Sequence, residues 1–412
     1  MKHYIRIKNE NNVNGAIIPS GSKNSSLAII VAATIFKGLI TLKNIPRIED
    51  VNNLINILNK EGISTAFKGN ELKIDSSSFS YSSCSMEEVK SLRASYYLIG
   101  GFLPRVQEMV FYTPGGCAFQ ERPIDLHIDF FKQFGRVEQN ESSFYFKMEK
   151  KEAIDYSFKR KSLGASVNAL LFLIQIKGKS VLRNVSSEPE LDDLIKFLNS
   201  IGGITYRKGN DLYIQGGEIF HSSVYSIMPD RIEIGSYALL GAMKGRVIIP
   251  SCKKEDNIYL FELFEKLGVK YSYNSSILCV EKSNISEDIE VVCDDYPSFP
   301  TDLKPILTLL LAFNKGESSI IDNIYNDRNE YCYELMKLGI NIELDKNKVI
   351  VHNFCPRDYV ELVASDLRGA FALLAGLSYS KDSKLYHYNH LFRGYENLFL
   401  KLKQMNIEVE EK

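Results

Sequence analysis

The stretch Asn59-Lys60-Glu61-Gly62-Ile63-Ser64-Thr65-Ala66-Phe67-Lys68-Gly69-Asn70-Glu71-Leu72-Lys73-Ile74 returns, little altered in pattern, as Asn199-Ser200-Ile201-Gly202-Gly203-Ile204-Thr205-Tyr206-Arg207-Lys208-Gly209-Asn210-Asp211-Leu212-Tyr213-Ile214. In both, an amphipathic run stops at a glycine, which takes a left-handed C-cap with least strain. Two β-rich pieces then flank a Gly-Asn turn, the pattern of a hairpin. Working outward, helix-patterned runs at residues 51–62, 126–135, 191–202, 257–268, 329–339 and 395–406 end at Gly62, Gly135, Gly202, Gly268, Gly339 and Asn406. Each stop suits the same left-handed cap. The stops recur about every 70 residues, a regularity that marks internal repeats, and six such units fill the 412-residue chain.

A second, nearly all-apolar helix precedes these blocks, clearest at residues 27–37, 167–176, 237–243, 303–313 and 370–377, and four of them run into Lys-Gly, at Gly38, Gly178, Gly245 and Gly316. Short strands (39–45, 180–185, 318–324) lead on to the amphipathic helix. Apolar on all sides, the first helix has to be covered all round. The second puts Leu54, Ile55 and Leu58 beside Asn52, Asn53 and Lys60, so it is covered on one face. The expected unit is strand, buried helix, strand, amphipathic helix, hairpin: an α/β fold with the first helices inside and the hairpin sheets outside. Six units exceed a single core at this length, and two domains of three is the simplest partition. Residues 216–226, between the third and fourth units, are the one soft region.

Hydrophobic residues make up 45% and charged residues 25%, the balance of a folded soluble protein rather than a disordered one. Fifty lysines and arginines against 51 acids leave a net charge of -1, without the field that holds a nucleic-acid backbone. No apolar run approaches the roughly 20 residues that span a bilayer. The seven cysteines (Cys84, Cys117, Cys252, Cys279, Cys293, Cys332, Cys355) contain no CxxC pair and no secretory leader pattern is seen, which reads as a reduced, cytoplasmic protein. The six histidines form neither HxH nor HExxH. Neither a metal nor a cofactor is expected. With no Walker or Rossmann fingerprint, helix ends and arginines are left to hold phosphates.

Polar residues gather at the entrances of the apolar helices, where free N–H groups and the dipole favour anions. The six entrances read Ser22-Lys23-Asn24-Ser25, Leu92-Arg93-Ala94-Ser95, Lys161-Ser162-Leu163-Gly164, Asp230-Arg231-Ile232-Glu233, Pro300-Thr301-Asp302 and Asp366-Leu367-Arg368-Gly369. Ser22, Ser95 and Thr301 read as caps. Lys23, Arg93 and Arg368 oppose the dipole and call for an anion. A second signal is Thr113-Pro114-Gly115-Gly116-Cys117-Ala118-Phe119-Gln120-Glu121-Arg122-Pro123-Ile124-Asp125-Leu126-His127, where a strand at 109–112 opens into a glycine-rich loop. A cation five residues on would lower the Cys117 thiol pKa, making it the best nucleophile or proton donor in the chain. Cys279, Cys293 and Cys355 read as small core residues.

These motifs, with Glu188-Pro189-Glu190, Phe299-Pro300-Thr301-Asp302, Asp366-Leu367-Arg368 and Arg393-Gly394-Tyr395-Glu396, run in order along the chain. Together they strongly resemble the UDP-N-acetylglucosamine 1-carboxyvinyltransferase family, enolpyruvyl transferases related to EPSP synthase. The resemblance implies two inside-out α/β domains, each of three βαβαββ repeats: residues 21–228, carrying the Cys117 loop, and residues 1–20 with 229–412. It implies transfer of enolpyruvate from phosphoenolpyruvate to the 3-hydroxyl of UDP-N-acetylglucosamine with release of phosphate, opening peptidoglycan synthesis without a metal.

Carried over by the resemblance, Cys117 is the proton donor and Asp302 the base, with Asp366 as the alternative base. Lys23, Arg122 and Arg393 meet the phosphate of phosphoenolpyruvate, with Asn24 beside them, and Arg328 and Arg368 meet its carboxylate. Arginine forks suit both anions. Asn24, Arg93, Arg122, Pro123, Ile124, Asp125, Leu126, Arg160, Lys161, Ser162, Leu163, Asp302 and Ile324 match contacts to the nucleotide sugar. Gly115-Gly116 suits a closing lid. The chain departs from the family's pattern at Gln120 and Glu121, at Lys304 (usually glutamine), at Ser187 (usually arginine) and at Phe392 (usually aspartate). These departures leave a paralogue acting on another nucleotide or sugar-nucleotide acceptor as the alternative. A non-catalytic binding protein of the same fold is a further one, against which the joint presence of Lys23, Cys117, Asp302 and the arginines counts.

Overall fold

A computed structural model describes residues 3–8, 12–82, 85–113, 124–217, 220–285, 288–314 and 316–412. The described residues of Met1–Ser20 and Pro229–Lys412 make one compact unit, and those of Gly21–Gly116 and Glu121–Met228 make the other.

In the Gly21–Met228 unit, the helices Lys23–Ala33, Tyr97–Val106 and Leu163–Leu173 form the interior. Ser22 caps the first, its Oγ accepting from the Ser25 N–H at 3.3 Å, and Ser162 caps the third by the same bond to Ala165. From Ser25 onward every residue of Lys23–Ala33 is buried, and Leu170, Leu171, Phe172 and Leu173 have no exposure, each such side chain contributing about 1.5–3 kcal/mol. Around these helices lie three sheets. Leu39–Lys43 pairs antiparallel with the hairpin Ser64–Lys68 and Glu71–Asp75, and Gly178–Arg183 does so with Ile204–Lys208 and Asp211–Gly216. The turn glycines Gly69 and Gly209 have φ near +60°. Glu108–Tyr112 pairs with the hairpin Gly135–Gln139 and Ser143–Met148 in the third.

The soft region at 216–226 is not a linker at its end, because Val224–Ser226 adds a parallel edge strand to Leu39–Lys43. The interior helix of the second repeat, Tyr97–Val106, is hard to see in sequence because Gly100, Gly101 and Pro104 interrupt its pattern. Gly100 is there for space: a Cβ would meet the Asn168 carbonyl at 2.2 Å.

In the other unit, the interior helices are Arg231–Lys244, Lys304–Leu311 and Leu367–Leu377, all three buried at every residue. Asp230 and Asp366 cap them from N-cap positions. The sheets are built on Gly245–Ile249, Ser318–Asp322 and Lys384–Tyr386, each with a parallel edge strand (Val13–Ala16, Glu290–Cys293 and Glu361–Val363). Tyr4–Ile7 lies between Lys384–Tyr386 and Val409–Glu411, antiparallel to both.

Of the six stops, Gly62, Gly202, Gly268, Gly339 and Asn406 have positive φ, between 65° and 105°. Gly135 does not. It opens the strand Gly135–Gln139, and a Cβ there would meet the Lys147 carbonyl at 2.0 Å, so close approach rather than a cap requires it. Among the cysteines, Cys293 is buried as expected, Cys279 is half-buried, and Cys355 is exposed because its chain leaves the sheet after Phe354.

Candidate functional site

In the Pro229–Lys412 unit, two helix entrances and one loop converge on a group of four charges. Asp302 stands in the 3-10 turn Thr301–Leu303, Asp366 and Arg368 at the start of Leu367–Leu377, and Arg328 in the segment between Ser318–Asp322 and Glu330–Lys337. Arg328 Nη1 donates to Asp302 Oδ1 at 2.8 Å, its Nη2 lies 3.5 Å from Asp366 Oδ1, and Arg368 Nη2 lies 3.6 Å from Asp302 Oδ2. Asp366 also accepts from the N–H groups of Arg368 (2.8 Å) and Gly369 (3.2 Å), which fixes it as a cap.

Arg328, Arg368 and Asp366 are buried, whereas the Asp302 side chain keeps 31% of its exposure. Asp302 is therefore the member of the four that meets solvent. Burial opposes the charge on both guanidinium groups, but Asp302 and Asp366 hold Arg328, and Tyr395 and Asp302 hold Arg368, more firmly protonated than usual. Arg368 stands over the Tyr395 ring at 5.3 Å, and its Nη1 is buried with no hydrogen bond among the described residues, a donor that an anionic ligand would satisfy.

Around this group, Ile324 is exposed, its N–H donating to Asp322 Oδ1, and Arg393 ends the turn Tyr388–Arg393, half-buried. Two departures noted in sequence acquire places. Lys304 has no exposure and pairs with Asp322 at 3.2 Å, so it puts no charge on the surface. Phe392 packs edge-on against Tyr388 and Phe399.

In the Gly21–Met228 unit, Lys23 is the first residue of its helix and pairs with Asp50 Oδ2 at 2.5 Å. Asp50 is buried in the first turn of Glu49–Lys60, and sequence reading missed it because an acid at a helix start looks like an ordinary dipole partner. Asn24 follows, half-buried. Arg93 opens the turn Arg93–Tyr96 and acts on a further group that sequence left unassigned, His127. Asn168 Oδ1 accepts from the Gly100 N–H at 2.6 Å, which orients the amide so that its Nδ2 donates to Tyr96 O (2.9 Å) and to His127 Nδ1 (3.0 Å). His127 is then neutral with its proton on Nε2. Burial, then the Arg93 charge, push its pKa down to about 3, against a small opposing pull from Asp125.

Asp125 takes a forked pair from Arg160, at 2.9 and 2.7 Å, on the surface. Partial burial opposes the Asp125 charge, yet Arg160 holds its carboxyl below the usual range. Lys161 donates to Ser187 Oγ at 3.2 Å, and Ser162 caps its helix with Leu163 half-buried beside it. Ile124 and Leu126 are buried in the core, so a ligand there would meet their backbone. Cys117, Gln120, Glu121, Arg122 and Pro123 lie outside the described residues. Among the described residues no group of His, Cys, Asp and Glu could hold a metal ion, and no helix is long and apolar enough to cross a membrane.

The family model of EPSP synthase (3-phosphoshikimate 1-carboxyvinyltransferase) matches residues 7–402. The chain is 33% identical over 413 residues to UDP-N-acetylglucosamine 1-carboxyvinyltransferase 2 of Staphylococcus aureus, covering 99% of this chain and 98% of that protein. The protein of the same name in Staphylococcus epidermidis is 32% identical over the same shares. In fold, the chain is similar to the crystal structure of the enolpyruvyl transferase NikO from Streptomyces tendae, with a TM-score of 0.90 at 21% identity over 100% of this chain and 99% of that one. EPSP synthase from Acinetobacter baumannii follows with a TM-score of 0.76 at 14% identity over the whole of both chains.

Proposed function

Since the chain belongs to the EPSP synthase family of enolpyruvyl (1-carboxyvinyl) transferases, we propose that it transfers the enolpyruvyl group of phosphoenolpyruvate to the 3-hydroxyl of UDP-N-acetylglucosamine, as an early step toward peptidoglycan. The observation that carries this reading is the end-to-end likeness to relatives named for that reaction, over 99% of the chain.

The residues supply a physical course for it. Addition forms a bond between the acceptor oxygen and C2 of phosphoenolpyruvate as the hydroxyl proton passes to a base and a proton joins C3; elimination then removes a proton from C3, restores the C2–C3 double bond and breaks the bond from C2 to the phosphate oxygen. In this reading Cys117 delivers the proton to C3, and Lys23, Arg122 and Arg393 offset the charge of the departing phosphate. Arg328 and Arg368 take the substrate carboxylate. That carboxylate competes with Asp302 for the same two guanidinium groups, which lie 2.8 and 3.6 Å from its oxygens. Once displaced as their partner, Asp302, the solvent-facing member of the group, is left to take the proton of the acceptor hydroxyl. Asp366, held by two backbone N–H groups and Arg328, is the less available base.

A second reading, the same transfer to a different nucleotide or sugar nucleotide, is favoured by Ser187. It hydrogen-bonds Lys161 where the family's usual arginine would bring a further charge to the segment given to the nucleotide sugar. Phosphate release from phosphoenolpyruvate, measured with a panel of nucleotides and sugar nucleotides, tests both. Turnover with UDP-N-acetylglucosamine is expected, and its absence beside turnover of another acceptor would replace the first reading by the second.

A further inference from the structure

Directly behind the Asp302 turn lies an ion pair that the course above does not use. Lys304, the first residue of Lys304–Leu311, and Asp322, the last of Ser318–Asp322, both have 0% side-chain exposure. Lys304 Nζ donates to Asp322 Oδ2 at 3.2 Å, and Thr301 Oγ1 donates to the same oxygen at 2.7 Å. Oδ1 accepts from the N–H groups of Ile324 and Tyr325, both at 3.1 Å. A carboxylate this far from water is costly to bury unless it is paired and fully hydrogen-bonded, and here four donors surround it.

These bonds tie together three pieces of chain: the turn that carries Asp302, through Thr301; the start of the interior helix, through Lys304; and the segment that runs from Ile324 to Arg328. Asp302 and Arg328, the two groups that meet at 2.8 Å, lie on two of those pieces. We propose that the Lys304–Asp322 pair sets the position of Asp302 against Arg328, and that Lys304 is a positioning residue for the transfer rather than a contact of the acceptor. The proposal rests on the roles given above to Asp302 and Arg328. It also accounts for a lysine in place of the family's usual glutamine without placing a new charge against substrate, since Lys304 has no exposed surface.

Three variants test it. Lys304→Met removes donor and charge, Lys304→Gln keeps a donor, and Thr301→Val cuts only the tie to the Asp302 turn. In Lys304→Met, kcat is expected to fall about 100-fold, the effect of a misplacement of roughly 1 Å, with KM for phosphoenolpyruvate changing less than about five-fold. Hydrogen exchange at the Ile324 and Tyr325 amides should quicken in the same variant. Lys304→Gln should recover most of both losses. A folded Lys304→Met protein with wild-type kcat, or with unchanged exchange at those two amides, overturns the proposal. If that variant does not fold, Thr301→Val decides: a fall of about ten-fold in kcat sustains the proposal and wild-type kcat ends it. Exchange needs no substrate, so a wild-type protein that fails to turn over UDP-N-acetylglucosamine would sink the proposed function while leaving this test in force.

Discussion

In one unit Arg328 and Asp366 share an ion pair at 5% and 2% side-chain exposure; in the other Arg160 and Asp125 make a forked pair of better geometry at 55% and 43%. The better-shaped pair is the weaker one. In water it is worth at most about 1 kcal/mol and is screened by salt, while the loss of one partner from the buried pair costs several times that, because a desolvated charge is left behind. The surroundings, more than the distances, decide what a charge can do. Arg328 and Arg368 are held in place before any substrate arrives, and Arg160 is free to change partners.

Three changes would break or sharpen that contrast. The largest effect is expected from Arg328→Lys, which keeps the charge and loses the fork that reaches Asp302 and Asp366 at once. Steady-state kinetics should show kcat/KM for phosphoenolpyruvate lower by about 100- to 1,000-fold, or about 3–4 kcal/mol, and a loss below ten-fold would mean that fixed geometry is not what Arg328 supplies.

Next comes His127, a buried group held neutral. The unfolded chain takes up a proton near pH 6.5 that the folded ring refuses until about pH 3. Its share of stability is therefore complete above pH 6.5 and drains as pH falls, by up to about 1.4 kcal/mol per pH unit. Urea unfolding at pH 7.5, 6.0 and 5.0 should show a shallower acid loss in His127→Gln than in wild type, and equal slopes would mean that the folded ring does accept the proton. The smallest effect belongs to Arg160→Ala, expected to shift unfolding free energy by less than about 1 kcal/mol and by still less in 1 M salt. A larger, salt-independent loss would place that pair with the buried ones.

Much of the architecture was legible because it repeats. Gly-Asn turns predict the hairpins at Gly69 and Gly209, and both stand there with φ near +60°. The apolar pattern starts the interior helices late: it predicts residues 27–37 where Lys23–Ala33 is found, and 167–176 where Leu163–Leu173 is found. Their first turns hold polar residues that break an apolar pattern, although Ser22 and Ser162 mark the true starts as caps. In the candidate site, the residues alone single out Arg368, a cation at a helix entrance that opposes the dipole, whereas Arg328 and the roles of Asp302 and Asp366 come through the resemblance to the family. Sequence could not supply Asp50, Asn168 or Asp322, whose importance lies in what they hold from far along the chain. The pairing of His127 with Asn168, 41 residues apart, leaves no local signature.

The strand Tyr4–Ile7 carries one further consequence, for the order in which this protein is made. One of its partners, Val409–Glu411, emerges from the ribosome about 400 residues later, roughly 20–80 s at ordinary rates of synthesis. The three sheets of the Gly21–Met228 unit need nothing beyond residue 228 and can close on the nascent chain. Ile5, fully buried at the end, spends that interval without the partners that cover it, a hazard for association with neighbouring chains and a foothold for a chaperone.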